Sequence, residues 1–377
     1  MVISNFMTSV AFYFMITALP VYLTTDLMFG KDQAGIIIAA YIFTAVLIRP
    51  FVGVFIDNYG RRTIYLGALF LFSSLFVAYG LVTTQVALIT VRVIHGFLWG
   101  VLTTAGNTLI LDFVPSDKRG EGLGYYGLAF TMSMAIGPLL SSIIIQKSNY
   151  LVLFALASIV ALIGTALLLG LKFPKHISSK TSIKDGLMGF VSPKAIPIAI
   201  LTFLILMPYG AVLNFIAIYC KTVNSGSTVV FFLSLAFGLT ISRIFAGRKF
   251  DQNGPFRLLI ISYFFIFCSF PILIVYDSSF TLALSALFIG IGFGISFPVY
   301  QLMLNNVLPV SMRSTANSLF LTAIDVGIGV GVLVMGFLTQ YVDIKLAFGV
   351  WSALAVIAFL YYRFAVKEHY RKSVITH

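Results

Sequence analysis

The chain has 377 residues, 60% hydrophobic and only 10% charged, with a formal net charge of +12 and a mean hydropathy of +1.04. A soluble globular chain carries about 25% charged residues, so these charges cannot cover a water-facing surface of this size, and a bilayer is the expected solvent. The positive excess would suit nucleic acid, but it is spread over short connections between apolar runs, which is a membrane-topology pattern, and no nucleic-acid partner is expected.

No Asp, Glu, Lys or Arg precedes Asp26. Further charge-free runs lie between Arg62 and Arg92, Glu121 and Lys147, Lys147 and Lys172, Lys194 and Lys221, Lys221 and Arg243, and Asp277 and Arg313. A helix needs about 20 apolar residues to cross a hydrocarbon core of ~30 Å, and the runs lack the ~10-residue alternation of barrel strands. Twelve spans are predicted near 2–25, 33–56, 63–82, 85–112, 122–146, 149–171, 195–220, 227–247, 258–276, 279–307, 314–340 and 346–364. The first has no basic leader and no clean small-residue cleavage site, so it reads as span 1 rather than a signal peptide. It starts almost at Met1, which leaves a longer natural N-terminus open. Seventeen cations from Arg61 to Lys372 collect on one side, among them Lys175, Lys180 and Lys184, against Lys31, Lys147, Lys221 and Lys345 on the other. That bias puts both termini and the central linker in the cytoplasm of a cell-membrane protein. The expected domains are a six-helix bundle over 1–171, a linker over 172–194, a second bundle over 195–366 and a tail over 367–377. Cys220 and Cys268 sit in apolar helices far apart, so neither a disulfide framework, a metal site nor a cofactor is expected.

The segment joining spans 2 and 3 recurs in the second half at an offset of 194 residues. Arg49 corresponds to Arg243, Gly53 to Gly247, Asp57 to Asp251 and Gly60 to Gly254; the same offset carries Gly96 to Gly290, Gly100 to Gly294, Pro115 to Pro309 and Arg119 to Arg313. Register held over that length marks parallel repeats, an arrangement of two bundles that rock about a midplane site. Gly53 lets span 2 approach a neighbour closely. Asp57, near a helix C-terminus, meets the unfavourable end of the dipole and needs a partner. Gly60 permits a left-handed turn, and Arg61 and Arg62 hold the loop on the cytoplasmic side. The run Gly53-Val54-Phe55-Ile56-Asp57-Asn58-Tyr59-Gly60-Arg61-Arg62 resembles the G-x-x-x-D-x-x-G-R-R/K signature of the major facilitator superfamily, and the resemblance covers essentially the whole chain. It implies an all-α fold of twelve transmembrane helices in two pseudo-symmetric six-helix bundles. It also implies a conformational latch in which Asp57 faces the start of span 11 near Arg313 and Asp251 the start of span 5 near Arg119. Plain loop anchoring is the alternative reading of these residues.

Span 4 carries Arg92, His95, Trp99, Thr103 and Asn107 at helical spacing, so they lie on roughly one face. An arginine within a membrane is costly and faces a partner or a wet cavity, unless it snorkels outward. Arg92-Val93-Ile94-His95-Gly96 resembles the R-x-x-Q-G element of drug/proton antiporters in the superfamily, with His in place of Gln; a packed structural histidine is the competing reading of His95. In span 5, Gly137-Pro138 resembles the core of the antiporter motif, but Ser141-Ser142 stand where a glycine pair usually follows. A Gly-Pro pair also kinks helices that have no special role.

Asp325 lies 12 positions after Arg313, about 18 Å into span 11 at 1.5 Å per residue and close to the midplane of a ~30 Å core. It sits within Ala323-Ile324-Asp325-Val326-Gly327-Ile328-Gly329-Val330-Gly331, where the glycines predict tight helix packing. A desolvated carboxyl has a raised pKa and can load and release protons near neutrality, which makes Asp325 the proton-coupling candidate; a structural acid bonded to a neighbouring helix is the alternative. Asn107 and Gln301 are repeat mates, a pair of amides near the pseudo-twofold axis. The resemblance implies that spans 1, 7 and 10 line the pore, which adds Tyr13, Thr17, Tyr209, Asn214, Tyr300 and Asn305 as cavity candidates, each with packing as its alternative.

The function expected is secondary active transport, most directly proton-coupled efflux of a small amphipathic molecule such as a drug or metabolite. A proton-coupled importer or facilitator is the alternative, because direction depends on coupling. A sensor or embedded enzyme is the remote one: no G-x-x-x-x-G-K-S/T loop or H-E-x-x-H motif is present. The expected partners are a small-molecule substrate, protons and membrane lipid, with the monomer as the working unit. Arg92 suits an anionic group on the substrate and Asp325 a cationic one.

Overall fold

A computed structural model describes residues 1–173, 183–222, 228–275 and 278–374. The linker residues 174–182, with Lys175 and Lys180, and the side chains of Thr17, Lys31 and Lys221 lie outside the described residues. Among the described residues there is no strand, and twelve helices are long and apolar enough to cross a membrane. The first six are α1 (Val2–Thr25), α2 (Lys31–Tyr59), α3 (Arg61–Leu81), α4 (Gln85–Phe113), α5 (Arg119–Lys147) and α6 (Tyr150–Leu169). A short helix, α7 (Ile183–Phe190), precedes α8 (Ile196–Thr222), α9 (Thr228–Asn253), α10 (Pro255–Val275), α11 (Ser279–Val307), α12 (Arg313–Leu338) and α13 (Ile344–Tyr361). Residues 367–373, expected to be tail, form α14 (Lys367–Ser373), reached from α13 through a π-helical turn at Tyr362–Val366. The helix continues because Tyr362, Val366 and Tyr370 are buried at spacings that keep them on one face.

Helix ends follow local chemistry. Gly60 between α2 and α3 has φ +98°, and its repeat mate Gly254 between α9 and α10 has φ +69°. They are the described glycines with positive φ, which an L side chain adopts only at a cost. The Asn149 side chain accepts from the N–H of Val152 at 3.0 Å and starts α6; Ser278 accepts from Thr281 at 3.1 Å and starts α11, both as N-caps.

The chain divides into two compact units: Met1–Phe113 with Ala129–Ile183, and Val114–Leu128 with Lys184–His377. In the first, α2 packs on α4 where a Cβ at Gly96 would strike the Tyr41 carbonyl and one at Gly100 would meet Ile48 and Ala45. In the second, α9 packs on α11 where Gly290 lies against the Leu235 carbonyl and Gly294 against Ser242 and Leu239. These are repeat mates making the same contact. Bare backbone at a crossing point is what association in lipid rewards, since the surrounding chains are as apolar as the side chains. Gly137 repeats the theme: it meets Tyr13 of α1, while its mate Gly331 meets Met207 of α8, itself the mate of Tyr13.

Candidate functional site

In the first unit, Arg92 lies seven residues, about two turns, into α4. It is only 6% exposed, so it does not snorkel. Its guanidinium sits 4.6 Å from the Tyr41 ring centroid and 6.0 Å from that of Tyr79. Among the described residues no carboxylate pairs with it; π faces hold the charge instead. His95 is a packed histidine here: its Nδ1 is 3.0 Å from the Tyr79 hydroxyl, its ring lies 4.1 Å from Phe72 and 4.7 Å from Phe76, and it is 1% exposed. The α3 residues Phe72, Phe76 and Tyr79 cover the face on which it lies. Trp99 stacks on Phe12 at 4.2 Å. Tyr13 adjoins Phe12 and Phe130, each at 5.4 Å. One turn on, Arg49 donates to the Thr103 hydroxyl at 3.1 Å, and Asn107 donates to the Thr103 carbonyl at 2.8 Å.

Two buried signature residues of the first unit, Asp57 and Arg61, form an ion cluster with the partly buried Asp112. Arg61 donates to Asp57 at 3.0 Å and to Asp112 at 2.6 Å. Asp57 is 1% and Arg61 6% exposed, so Arg61 does more than anchor a loop. Arg62 instead extends over the Phe173 ring, 5.2 Å from its centroid, and Gly53 is buried within α2. Asp112 carried no weight in the sequence reading, since nothing in its spacing ties it to Asp57; the packing of α3 on α4 brings it there.

In the second unit the mate of Asp57 finds a different partner. Asp251 accepts from the backbone N–H of Gly120 at 2.9 Å and of Glu121 at 3.1 Å. The carboxylate therefore ends α9 by capping the first turn of α5, where free N–H groups and the dipole favour an anion. The contact requires Gly247, since a Cβ there would strike the Gly120 carbonyl. Arg119 begins α5 and Arg313 begins α12, the latter only 6% exposed. Arg243, mate of Arg49, donates to the Gly127 carbonyl and lies 5.4 Å from the Phe297 ring centroid.

Asp325 is half-buried, with 12 residues of α12 before it and 13 after. Gly327 and Gly331 press on the Phe203 and Met207 carbonyls of α8. At ~100° per residue Asp325 points roughly 120–160° away from those two glycines. It shares its face with Thr322 and Gly329, and a Cβ at Gly329 would meet nothing within 4 Å. The tight helix packing expected of the glycine run is made by Gly327 and Gly331 against α8, on the side away from Asp325.

A set of amides spans α11 and α12: Gln301 donates to Asn317 at 2.8 Å, and Asn305 donates to the same oxygen at 3.1 Å. Asn317, wholly buried, was missed because no motif or repeat mate marks it. Tyr209 packs 4.6 Å from Phe293 and 5.6 Å from Phe297. Asn214 bonds its own helix at the Gly210 carbonyl, 2.9 Å away. Tyr300 is directed to α10, its hydroxyl 3.0 Å from that of Tyr263, with no exposed surface. Pro138 follows Gly137 inside α5 without breaking it.

The sequence profile of the Major Facilitator Superfamily matches residues 1–279 and 257–376. The staphylopine export protein of Staphylococcus aureus is 23% identical over 88% of this chain and 87% of that protein. The multi-drug resistance efflux pump PmrA homolog of Lactococcus lactis is 23% identical over 87% and 84%. Among solved structures, the human organic anion transporter MFSD10 superposes with a TM-score of 0.82 at 15% identity, over 96% of this chain and 97% of that one. The Escherichia coli fucose:proton symporter FucP does so with 0.75 at 16%, over 96% and 97%. With twelve apolar helices, a repeated signature segment and a profile match over nearly its full length, the chain belongs to the Major Facilitator Superfamily of transporters.

Proposed function

We propose that this transporter is a proton-coupled exporter that exchanges protons for a small amphipathic solute by alternating access, with Asp325 as the residue that carries the proton. The observation that carries the reading is the position of Asp325, a half-buried acid midway along α12 on a face next to unfilled space. A carboxyl at that depth is costly, rare and a marker of ion and proton pathways. Efflux as the direction draws support from relatives named for export, matched over more than four fifths of their length. The substrate would meet the aromatic faces around Trp99 and the charge of Arg92, so amphipathic cations, anions and zwitterions all belong in a first screen. In the same reading the two six-helix halves rock about the site, both termini face the cytoplasm of the cell membrane, and one chain suffices.

Import is the second reading, favoured by Ser141-Ser142 in place of a glycine pair; the two hydroxyls bond the Phe14 carbonyl at 3.4 Å and the Pro138 carbonyl at 3.0 Å. Cells expressing the chain and loaded with a panel of dyes and drugs decide between them. Export predicts lower accumulation of at least one compound, restored both by an uncoupler and by Asp325→Asn. Higher accumulation in expressing cells establishes import, and no change with any compound defeats the proposal.

A further inference from the structure

The last helix carries a surface that the proposed transport site does not include. From Ile344 to Ser373 it runs for 30 residues, about 45 Å at 1.5 Å per residue. A hydrocarbon core takes up ~30 Å of that length, and the outward face marks where it stops. Leu360 and Phe364, one turn apart, are 46% and 78% exposed. Arg363 stands between them, and beyond Phe364 Arg371 and Lys372 are exposed cations as well.

Arg363, Lys367 and Arg371 follow one another at four-residue spacing, three like charges on one stripe, which an isolated helix disfavours. Two of them are seated: Lys367 Nζ lies 5.7 Å and Arg371 Cζ 5.0 Å from the Phe256 ring centroid, beside exposed Arg257. Glu368 reaches Arg371 at 3.5 Å and Lys372 at 4.0 Å but is itself 58% exposed, so solvent weakens both pairs. Among the described residues of this last segment, Glu368 is the one carboxylate near these cations, and it reaches Arg371 and Lys372 alone. The opposite stripe is anchored: Tyr370 is buried and its hydroxyl accepts from Asn306 at 3.2 Å, so the charges stand on a docked helix.

We propose that this stripe binds an anionic glycerophospholipid, with the headgroup phosphate between Arg363, Lys367 and Arg371 and an acyl chain along Phe364 and Leu360. The apolar stripe that abuts the cations within one turn selects lipid over a soluble anion, which has no use for it. Cations that only set topology need neither regular spacing nor an aromatic seat. The site is independent of transport direction and of Asp325.

Lipid retained by the full-length protein, purified with mixed phosphatidylglycerol and phosphatidylcholine, tests this by native mass spectrometry. Wild type is expected to retain phosphatidylglycerol preferentially. The triple variant Arg363→Gln, Lys367→Gln, Arg371→Gln is expected to lose about five-fold of that preference per cation removed. A second triple variant, Lys118→Gln, Lys172→Gln, Lys184→Gln, removes the same charge elsewhere and keeps the preference. Should the first variant fail to fold, Arg363→Gln alone carries the same test for one cation. Equal retention of the two lipids, an equal loss in the control variant, or displacement by glycerol phosphate would each overturn the proposal.

Discussion

Arg92 and Asp325 are departures from the chain's own symmetry. The position 194 residues after Arg92 holds Ala286, that after His95 holds Ile289, and that before Asp325 holds Thr131. Each helix of the other half forms its crossing without a charge at that place, so the repeated crossing does not by itself require these residues. For Arg92 the account predicts that Arg92→Lys, which keeps the charge but loses the flat guanidinium over Tyr41, lowers stability by ~0.5–2 kcal/mol and reduces transport. Thermal unfolding and uptake assays check both, and an unchanged variant would show that the stacking is incidental. Tyr79→Phe strips His95 of its hydroxyl partner inside the core and is expected to cost ~1–3 kcal/mol in unfolding experiments. The charged residues were legible in the sequence because membrane makes every charge conspicuous. Their partners were not: Tyr41 and Tyr79 are aromatic residues among many, and only the packing of α2 and α3 on α4 selects them.

The helix junctions show how one repeated segment serves two environments. In the first unit Asp57 shares Arg61 with Asp112; the corresponding positions in the second are Pro255 and Asn306, so that cluster cannot be rebuilt there. Asp251 takes backbone N–H groups of α5 instead. Because Asp57 and Asp112 both compensate one buried cation, Asp57→Asn and Asp112→Asn are expected to be non-additive by ~0.5–3 kcal/mol in a double-mutant cycle; additive losses would mean that Arg61 is not their common partner. The turn glycines give a cleaner contrast. Gly60→Ala forces a side chain into φ +98° and is expected to cost ~1–2 kcal/mol. Gly67→Ala, in mid-helix with nothing within 4 Å of the added carbon, gains up to ~1 kcal/mol in helix propensity. In the sequence Gly60 is marked by its place between two apolar runs and Gly67 by nothing; the structure tells the required glycine from the replaceable one. The same holds for Gly137, whose resemblance to an antiporter motif coexists with a packing role repeated at Gly331.

At the scale of the molecule the twelve helices and the two halves could be read directly, because lipid admits few backbone solutions and because repeat mates such as Gly96 and Gly290 keep both register and contact. What a linear pattern could not convey is which side of each helix meets which neighbour. Tyr300 turns to Tyr263 of α10 and His95 to the aromatic side chains of α3, whereas Asp325 faces away from the helix that its neighbouring glycines grip. The proposed proton coupling puts the energy source of transport at this one carboxyl. The direct test is proton flux in everted membrane vesicles, wild type against Asp325→Asn, as candidate compounds are added. The account predicts that at least one compound releases protons in wild type and none does so in the variant, while the variant still inserts and is recovered at wild-type levels. Compound-driven proton release that survives Asp325→Asn, or solute movement with no proton movement in wild type, would contradict it.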